Sequence, residues 1–324
     1  MTPEVLDTAV SRVPLGDHVG KSGATLERVV LADGRRLVVK HLTPANDLLM
    51  AATGDTTGLE YHVWASGVLD RLPDGIEHAV VGGWTTEDGA VMVMRDLGDT
   101  VLTWDDRLSR ARCRQVLAAV TGMHRAFLGA APDGLHSLTA MLGLFTPAVM
   151  SRYTDSPNPL PPLVLRGWEI FADTTPAAIA EPMLALLADP APLAAALAAR
   201  PCTLVHGDLA TVNVAIEDGR VVMLDWSMCT AAPAAFDLAR FVAGCASVVD
   251  ATREEIIADF RELAGPADDE AALRLAMLGA LVWLGWNKAL DAAEHPDLAI
   301  REREQADLDW WLEQGRLTLD AGLL

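Results

Sequence analysis

Two stretches near the start of the chain, Thr25–Leu31 and Arg36–Leu42, are rich in Val and Leu and flank Asp33-Gly34. Apolar runs joined through an Asp-Gly step predict a β-hairpin, because tight hairpin turns need residues that accept positive φ. Residues 90–98 (Ala-Val-Met-Val-Met-Arg-Asp-Leu-Gly) read as an apolar strand broken by a polar turn. Between them, residues 57–69 carry a partial helical stripe of Leu59, Val63 and Leu69. A second hairpin is predicted much later. Thr203–Val205 is a short apolar strand, Val212, Val214 and Ile216 alternate with other residues, Asp218-Gly219 marks the turn, and residues 220–224 return.

From about residue 105 onward, Ala- and Leu-rich helical patterns dominate, interrupted only by that second hairpin. Residues 105–128 predict a long helix with Leu108, Ala111, Gln115, Ala118, Gly122 and Arg125 along one face. Residues 130–165 are punctuated by Gly and Pro, and Ser156-Pro-Asn-Pro-Leu-Pro-Pro162 cannot continue a helix. The apolar segment 275–286 contains Gly279 and Gly285 and falls short of the ~20 residues of a membrane span, so it predicts a buried helix. No internal repeat is visible. The expected fold class is α+β: a small β-rich N-terminal lobe at 1–95 and a larger, mainly helical C-terminal lobe at 96–324.

Composition narrows the function classes. A chain of 324 residues with 51% hydrophobic content can bury a large core and is not disordered. Its 45 Asp and Glu outnumber 25 Lys and Arg, giving net −20, which disfavours nucleic acid and anionic membranes as partners. That charge suits a cationic acceptor, but as a bulk property it does not select one. Cys113, Cys202, Cys229 and Cys245 show neither metal-type spacing nor C-x-x-C. Residues 1–15 contain acids and no apolar run, so no secretory signal is read. The expectation is a cytoplasmic protein with reduced thiols and no zinc.

The densest chemistry lies in Leu204-Val-His-Gly-Asp-Leu-Ala-Thr-Val-Asn213, with Asp225 at the end of the returning strand. Phosphoryl transfer needs a carboxylate beside the attacking hydroxyl and oxygen ligands for a hard cation on the nucleotide phosphates. Asp208, Asn213 and Asp225 are those residue types, and the hairpin returns Asp225 to the neighbourhood of Asn213.

H-G-D-x-x-x-x-N followed twelve residues later by Asp resembles the catalytic loop and metal-binding Asp of aminoglycoside phosphotransferases and choline-kinase-like small-molecule kinases. The resemblance implies a bilobal protein-kinase-like fold, with the N-terminal lobe binding nucleotide and the C-terminal lobe carrying catalysis and the acceptor. It implies Asp208 as catalytic base and Asn213 and Asp225 as Mg²⁺ ligands. Protein kinases carry H-R-D and D-F-G, whereas here Gly207 precedes Asp208 and Trp226-Ser227 come after Asp225, which favours the small-molecule branch. His206 is expected to brace the loop, Asp237 to serve as scaffold, and His124 to be structural.

In the N-terminal lobe, Lys40 resembles the strand lysine that holds the α- and β-phosphates, and Glu60 the acid that orients it. Residues 16–23 (Gly-Asp-His-Val-Gly-Lys-Ser-Gly) fail the P-loop count, with three residues between Gly16 and Gly20 where four are needed. No convincing strand is read before them, and the residues after Gly23 alternate like a strand. A loop over the phosphates, ending at Gly23, is the family's arrangement. Residues 94–96, from Met94, resemble the linker whose backbone meets the base of ATP or GTP. Tyr153, Arg166 and Trp168 are expected to border the acceptor pocket, and the tryptophans of the last helices to be core.

The expected activity is transfer of a γ-phosphate to a hydroxyl of an antibiotic, aminoglycoside or nucleoside, or of a related sugar or amino alcohol. A metabolite kinase and a nucleotide-binding pseudokinase are the alternatives. The residues after Asp208, Leu-Ala-Thr-Val, depart from the common family versions, so no single substrate is carried over.

Overall fold

Asp33 and Gly34 turn the chain as their chemistry dictates, with Gly34 at φ 87°. The computed structural model describes residues 3–16 and 22–324. Its first sheet contains β1 (Ala9–Pro14), β2 (Thr25–Leu31), β3 (Arg36–Leu42), β5 (Val80–Thr86) and β6 (Gly89–Arg95), and β4 (Ile76–His78) lies outside it. The order is β1-β2-β3-β6-β5, antiparallel throughout. The strand β1 corrects the sequence reading, because a strand does precede the glycine-containing loop. Its outward Val10 and Val13 are exposed and it sits at the sheet edge, so it lacks the buried alternation that marks a strand in sequence. Strand β2 comes directly after the loop, so the segment still joins two strands and is not a P-loop.

The two-residue period of β3 decides which side chains face the rest of the molecule. Leu37 and Val39 join a cluster with Val29, Leu31, Val91 and Val93 on one face. Leu42 points the other way into the main core, where α1 (Leu59–Ala65) packs through Leu59 and Val63. Lys40 shares that second face, and is 5% exposed.

The remainder is largely helical. A three-stranded unit interrupts it: β8 (Val214–Glu217) pairs antiparallel with β9 (Arg220–Met223), which pairs parallel with β4. Asp218 and Gly219 have φ 48° and 78°, the double positive φ of a type I′ hairpin. Nearby, β7 (Thr203–Val205) pairs with β10 (Thr230–Ala232), a strand the sequence reading did not include.

Helix α2 (Arg110–Ala126) starts later than expected, where the Ser109 side chain accepts from the Arg112 N–H and caps it. The face expected to mark it is the wrong one. Ala111, Ala118 and Arg125 are exposed, and the buried side is Cys113, Val116, Leu117, Val120, Met123 and His124. Ala and Gly recurring at helical spacing carry little burial energy, so the larger side chains set the orientation. Among the other helices of the lobe are α3 (Leu160–Thr174), α4 (Ala235–Cys245), α5 (Arg253–Ala264), α6 (Glu270–Glu294) and α7 (Leu298–Asp320), with α6 packed against α3, α4 and α7. Among the described residues no single helix is long and apolar enough to cross a membrane.

Candidate active site

The strand β3 and the helix α1 bring Lys40 and Glu60 together at 2.8 Å, with Glu60 only 1% exposed. The same Lys40 ammonium donates to Asp225 Oδ1 at 2.9 Å, joining the N-terminal sheet to the end of β9. Ser227 Oγ donates to that carboxylate oxygen at 2.6 Å. Asp225 itself holds φ 59° and ψ 70°, a left-handed conformation rare for a non-glycine residue and often kept where function needs it.

Charges in this cluster shift accordingly. Burial opposes the ammonium of Lys40, but the Asp225 and Glu60 carboxylates outweigh it and hold the lysine above its ordinary value. Burial pushes Asp225 up, yet the Lys40 charge and the Ser227 hydroxyl bring it down to about 2. Glu60 is raised, because its burial exceeds the pull of Lys40.

The loop after β7 is built around Asp237, which is fully buried at the start of α4. It accepts from the His206 N–H at 2.9 Å, the Gly207 N–H at 2.8 Å and His124 Nε2 at 2.9 Å. Burial raises the Asp237 carboxyl, but the hydrogen bonds it accepts, led by the one from His124, more than offset this and leave it below its usual value. The scaffold expected of Asp237 and His124 is what these contacts describe. His206 donates through Nε2 to the Leu224 carbonyl and accepts the Asp208 N–H at Nδ1, so one neutral tautomer satisfies both bonds. Gly207 has φ 82°, and a Cβ there would stand 1.9 Å from the Met228 carbonyl oxygen.

That loop presents Asp208 and Asn213. The Asn213 amide nitrogen donates to the Asp208 carbonyl at 2.9 Å and to its Oδ2 at 3.0 Å. With its nitrogen committed, the amide oxygen is the atom Asn213 can offer a cation. The Leu224 N–H donates to the Asn213 carbonyl at 2.9 Å, which brings Asp225 beside the loop as the hairpin predicts. Among the described residues no group of three or more His, Cys, Asp or Glu is arranged for a metal. A pair of oxygen donors without a protein cage would suit Mg²⁺, which keeps waters and phosphate oxygens for its other positions.

Other expected positions divide. Gly23 has φ 95°, and a Cβ would come 2.5 Å from the Asn46 carbonyl oxygen, so the end of the loop requires glycine; residues 17–21 lie outside the described residues. Met94 is buried in β6, and the amides of Arg95 and Asp96 donate to the Ala79 and Arg36 carbonyls. Two of the donors in 94–96 are therefore used inside the sheet. Tyr153 donates to the Ala51 carbonyl at 2.8 Å, and Asn158 in the Pro-rich run donates to the Ser22 carbonyl at 3.2 Å, so both tie this region to the N-terminal part. Trp168 is 3% exposed and donates to the Phe145 carbonyl, and Arg166 pairs with Glu294 at the surface. Trp283 and Trp286 are buried in the core. The sequence reading missed Arg240 and Ser227 as site residues. Ser227 lies inside the quoted motif, whereas Arg240 reaches Asp208 from 32 positions away and leaves no local signal.

The family comparison turns this geometry into a class: the protein is an enzyme, a small-molecule phosphotransferase with a hydroxyl acceptor. The chain belongs to the phosphotransferase enzyme family (APH), whose model matches residues 28–276. Among solved structures it is similar to an aminoglycoside phosphotransferase from Alicyclobacillus acidocaldarius, with TM-score 0.50, 16% identity, and coverage of 100% of this chain and 95% of that one. It is also similar to the choline kinase LicA from Streptococcus pneumoniae, with TM-score 0.55, 10% identity and 94% of each chain covered. LicA in complex with AMP aligns with TM-score 0.54, 11% identity, and coverage of 94% and 92%. At these identities the likeness establishes the bilobal kinase-like fold. No curated protein sequence matches the chain.

Proposed function

We propose that the protein transfers the γ-phosphate of ATP or GTP to a hydroxyl of a small molecule, with residues 1–95 binding nucleotide and 96–324 carrying the catalytic and acceptor machinery. The observation that carries this reading is the double ion pair of Lys40 with Glu60 and Asp225. It joins the two halves of the protein beside the loop that presents Asp208.

In the proposed reaction Asp208 accepts the proton of the attacking hydroxyl, or orients that hydroxyl in line with the γ-phosphorus. Lys40, held by Glu60, pairs with phosphate oxygens and offsets the charge that develops on them. Asn213 and Asp225 would hold Mg²⁺, which would supply positive charge to the nucleotide phosphates. Gly23 closes the loop over the phosphates, and the purine edge would meet the backbone of the segment that follows Met94, beyond the groups the sheet already uses.

Antibiotic acceptors, aminoglycoside or nucleoside, are the leading class, with resistance as the consequence. The names of the similar structures, an aminoglycoside phosphotransferase and a choline kinase, support this range and also a second reading, a kinase for a sugar, amino sugar or choline-like alcohol. A pseudokinase is disfavoured because Lys40, Glu60, Asp208, Asn213 and Asp225 are all present. The test is a mass-spectrometric screen for phosphorylated products with Mg²⁺ and ATP or GTP, run in parallel on the parent and Asp208→Ala. A product from the parent alone, with nucleotide binding equal in both, is expected. Equal product from both would remove Asp208 from the mechanism.

A further inference from the structure

The Asp208 carboxylate has a second partner that the motif does not contain. Arg240 Nε donates to Asp208 Oδ1 at 2.8 Å while Asn213 holds Oδ2. Arg240 lies one turn beyond Asp237 on α4, so the helix that anchors the loop backbone also reaches its carboxylate. The arginine is itself confined. Its guanidinium carbon lies 5.8 Å from the centre of the Trp283 ring. On the next turn Gly244 leaves room for it: a Cβ there would stand 2.3 Å from Arg240 Nη1.

This arrangement is poorly explained by stability. The Arg240 side chain is 10% exposed, and its buried Nη1 has no hydrogen-bond partner among the described residues. A buried cation with an unused donor costs folding free energy, and such exceptions call for another reason. Asp208, by contrast, is 27% exposed and would be solvated without the arginine. The pair therefore constrains a group that does not need it for burial.

We propose that Arg240 is a positioning residue for phosphoryl transfer. It fixes one oxygen of Asp208 so that the carboxylate presents a single orientation to the incoming hydroxyl, and Gly244 and Trp283 keep the guanidinium in place. The proposal rests on the reading of Asp208 as base. A misplacement of a catalytic group by about 1 Å costs roughly 100-fold in rate, which sets the size of the effect expected.

The assay is phosphate release in Mg²⁺ from ATP and from GTP, with water as the acceptor, together with the Kd for each nucleotide. It is run on the parent, Asp208→Asn, Arg240→Ala, Arg240→Lys and Gly244→Ala. Arg240→Ala should lower kcat about 100-fold with nucleotide affinity unchanged, and added guanidinium ion at millimolar concentration should restore part of it. Gly244→Ala retains every charged group and improves local helix propensity, yet should also lower kcat by displacing the arginine. Arg240→Lys, which keeps charge but loses the planar donor, should recover little. An Arg240→Ala enzyme within a few-fold of the parent, or one whose loss matches its loss of folded protein and ignores guanidinium, overturns the proposal. A parent-like rate in Asp208→Asn overturns the reading beneath it instead.

Discussion

Lys40 and Asp225, 185 positions apart in the chain, meet at 2.9 Å, and Glu60 holds the same ammonium at 2.8 Å. One cation thus links the N-terminal sheet, the helix beside it and the end of the later hairpin. On the proposed mechanism an entering nucleotide exchanges with this contact, because its phosphates seek Lys40 and its cation seeks Asp225.

Removing the ammonium should therefore cost both stability and function. Lys40→Ala leaves Glu60 buried without its counter-charge, and breaking a buried pair typically costs about 3–5 kcal/mol. The expected result is a loss of that order in urea unfolding, with kcat/KM for the nucleotide lowered by about 100-fold or more. Unchanged nucleotide kinetics in a folded variant would exclude Lys40 from phosphate binding.

Asp225 gives a pH signature of definite sign. Its carboxyl is held at about 2, against about 3.9 for an unperturbed Asp. As pH falls, the unfolded chain takes up this proton first, so the contribution of Asp225 to stability is present above about pH 4 and disappears toward pH 2. The stability difference between the parent and Asp225→Asn, measured by urea unfolding, should stay level between about pH 7 and pH 5 and shrink below about pH 4. A gap that stays constant through the acid range would mean that the carboxylate is not held by Lys40.

Asp237 satisfies three buried donors, from His206, Gly207 and His124. Asp237→Ala strands all of them and should destabilise the protein by about 3–5 kcal/mol, with turnover falling faster than the folded fraction because the loop bearing Asp208 loses its anchor. Urea unfolding and kcat on the same preparation check this. A cost below about 1 kcal/mol would show that the loop is held elsewhere.

Gly207 is the position in the loop least able to accept a side chain. An added Cβ meets the Met228 carbonyl oxygen at 1.9 Å, and the φ of 82° is unfavourable for any other residue. Gly207→Ala should cost more than about 2 kcal/mol and abolish phosphoryl transfer, whereas Gly219→Ala, with φ 78° but open space around its Cβ, should cost only about 1–2 kcal/mol. Thermal melts of the two variants side by side separate strain from collision.

Local chemistry was enough to read the two hairpins. Asp33-Gly34 and Asp218-Gly219 lie between short apolar runs, and both turns form where the sequence places them. The spacing of Asp208, Asn213 and Asp225 was legible for the same reason, since one loop and one hairpin determine their proximity. Helix orientation was less so. In α2 the Ala and Gly positions imitate an apolar stripe, while Val116, Leu117, Val120 and Met123 turn the other side inward. Strand β1 escaped because its outward residues are exposed and its partner is supplied by β2.

What the sequence determined by itself is therefore short-range: turns, strand alternation and a catalytic motif whose members sit within one loop and its hairpin. What the tertiary structure decided is which distant groups complete that motif. Lys40 meeting Asp225, Asp237 gathering the loop amides and Arg240 reaching Asp208 each depend on the packing of elements far apart in the chain. An ion pair forms wherever two charges are brought within a few ångströms, and residue order records neither that approach nor the burial that strengthens it.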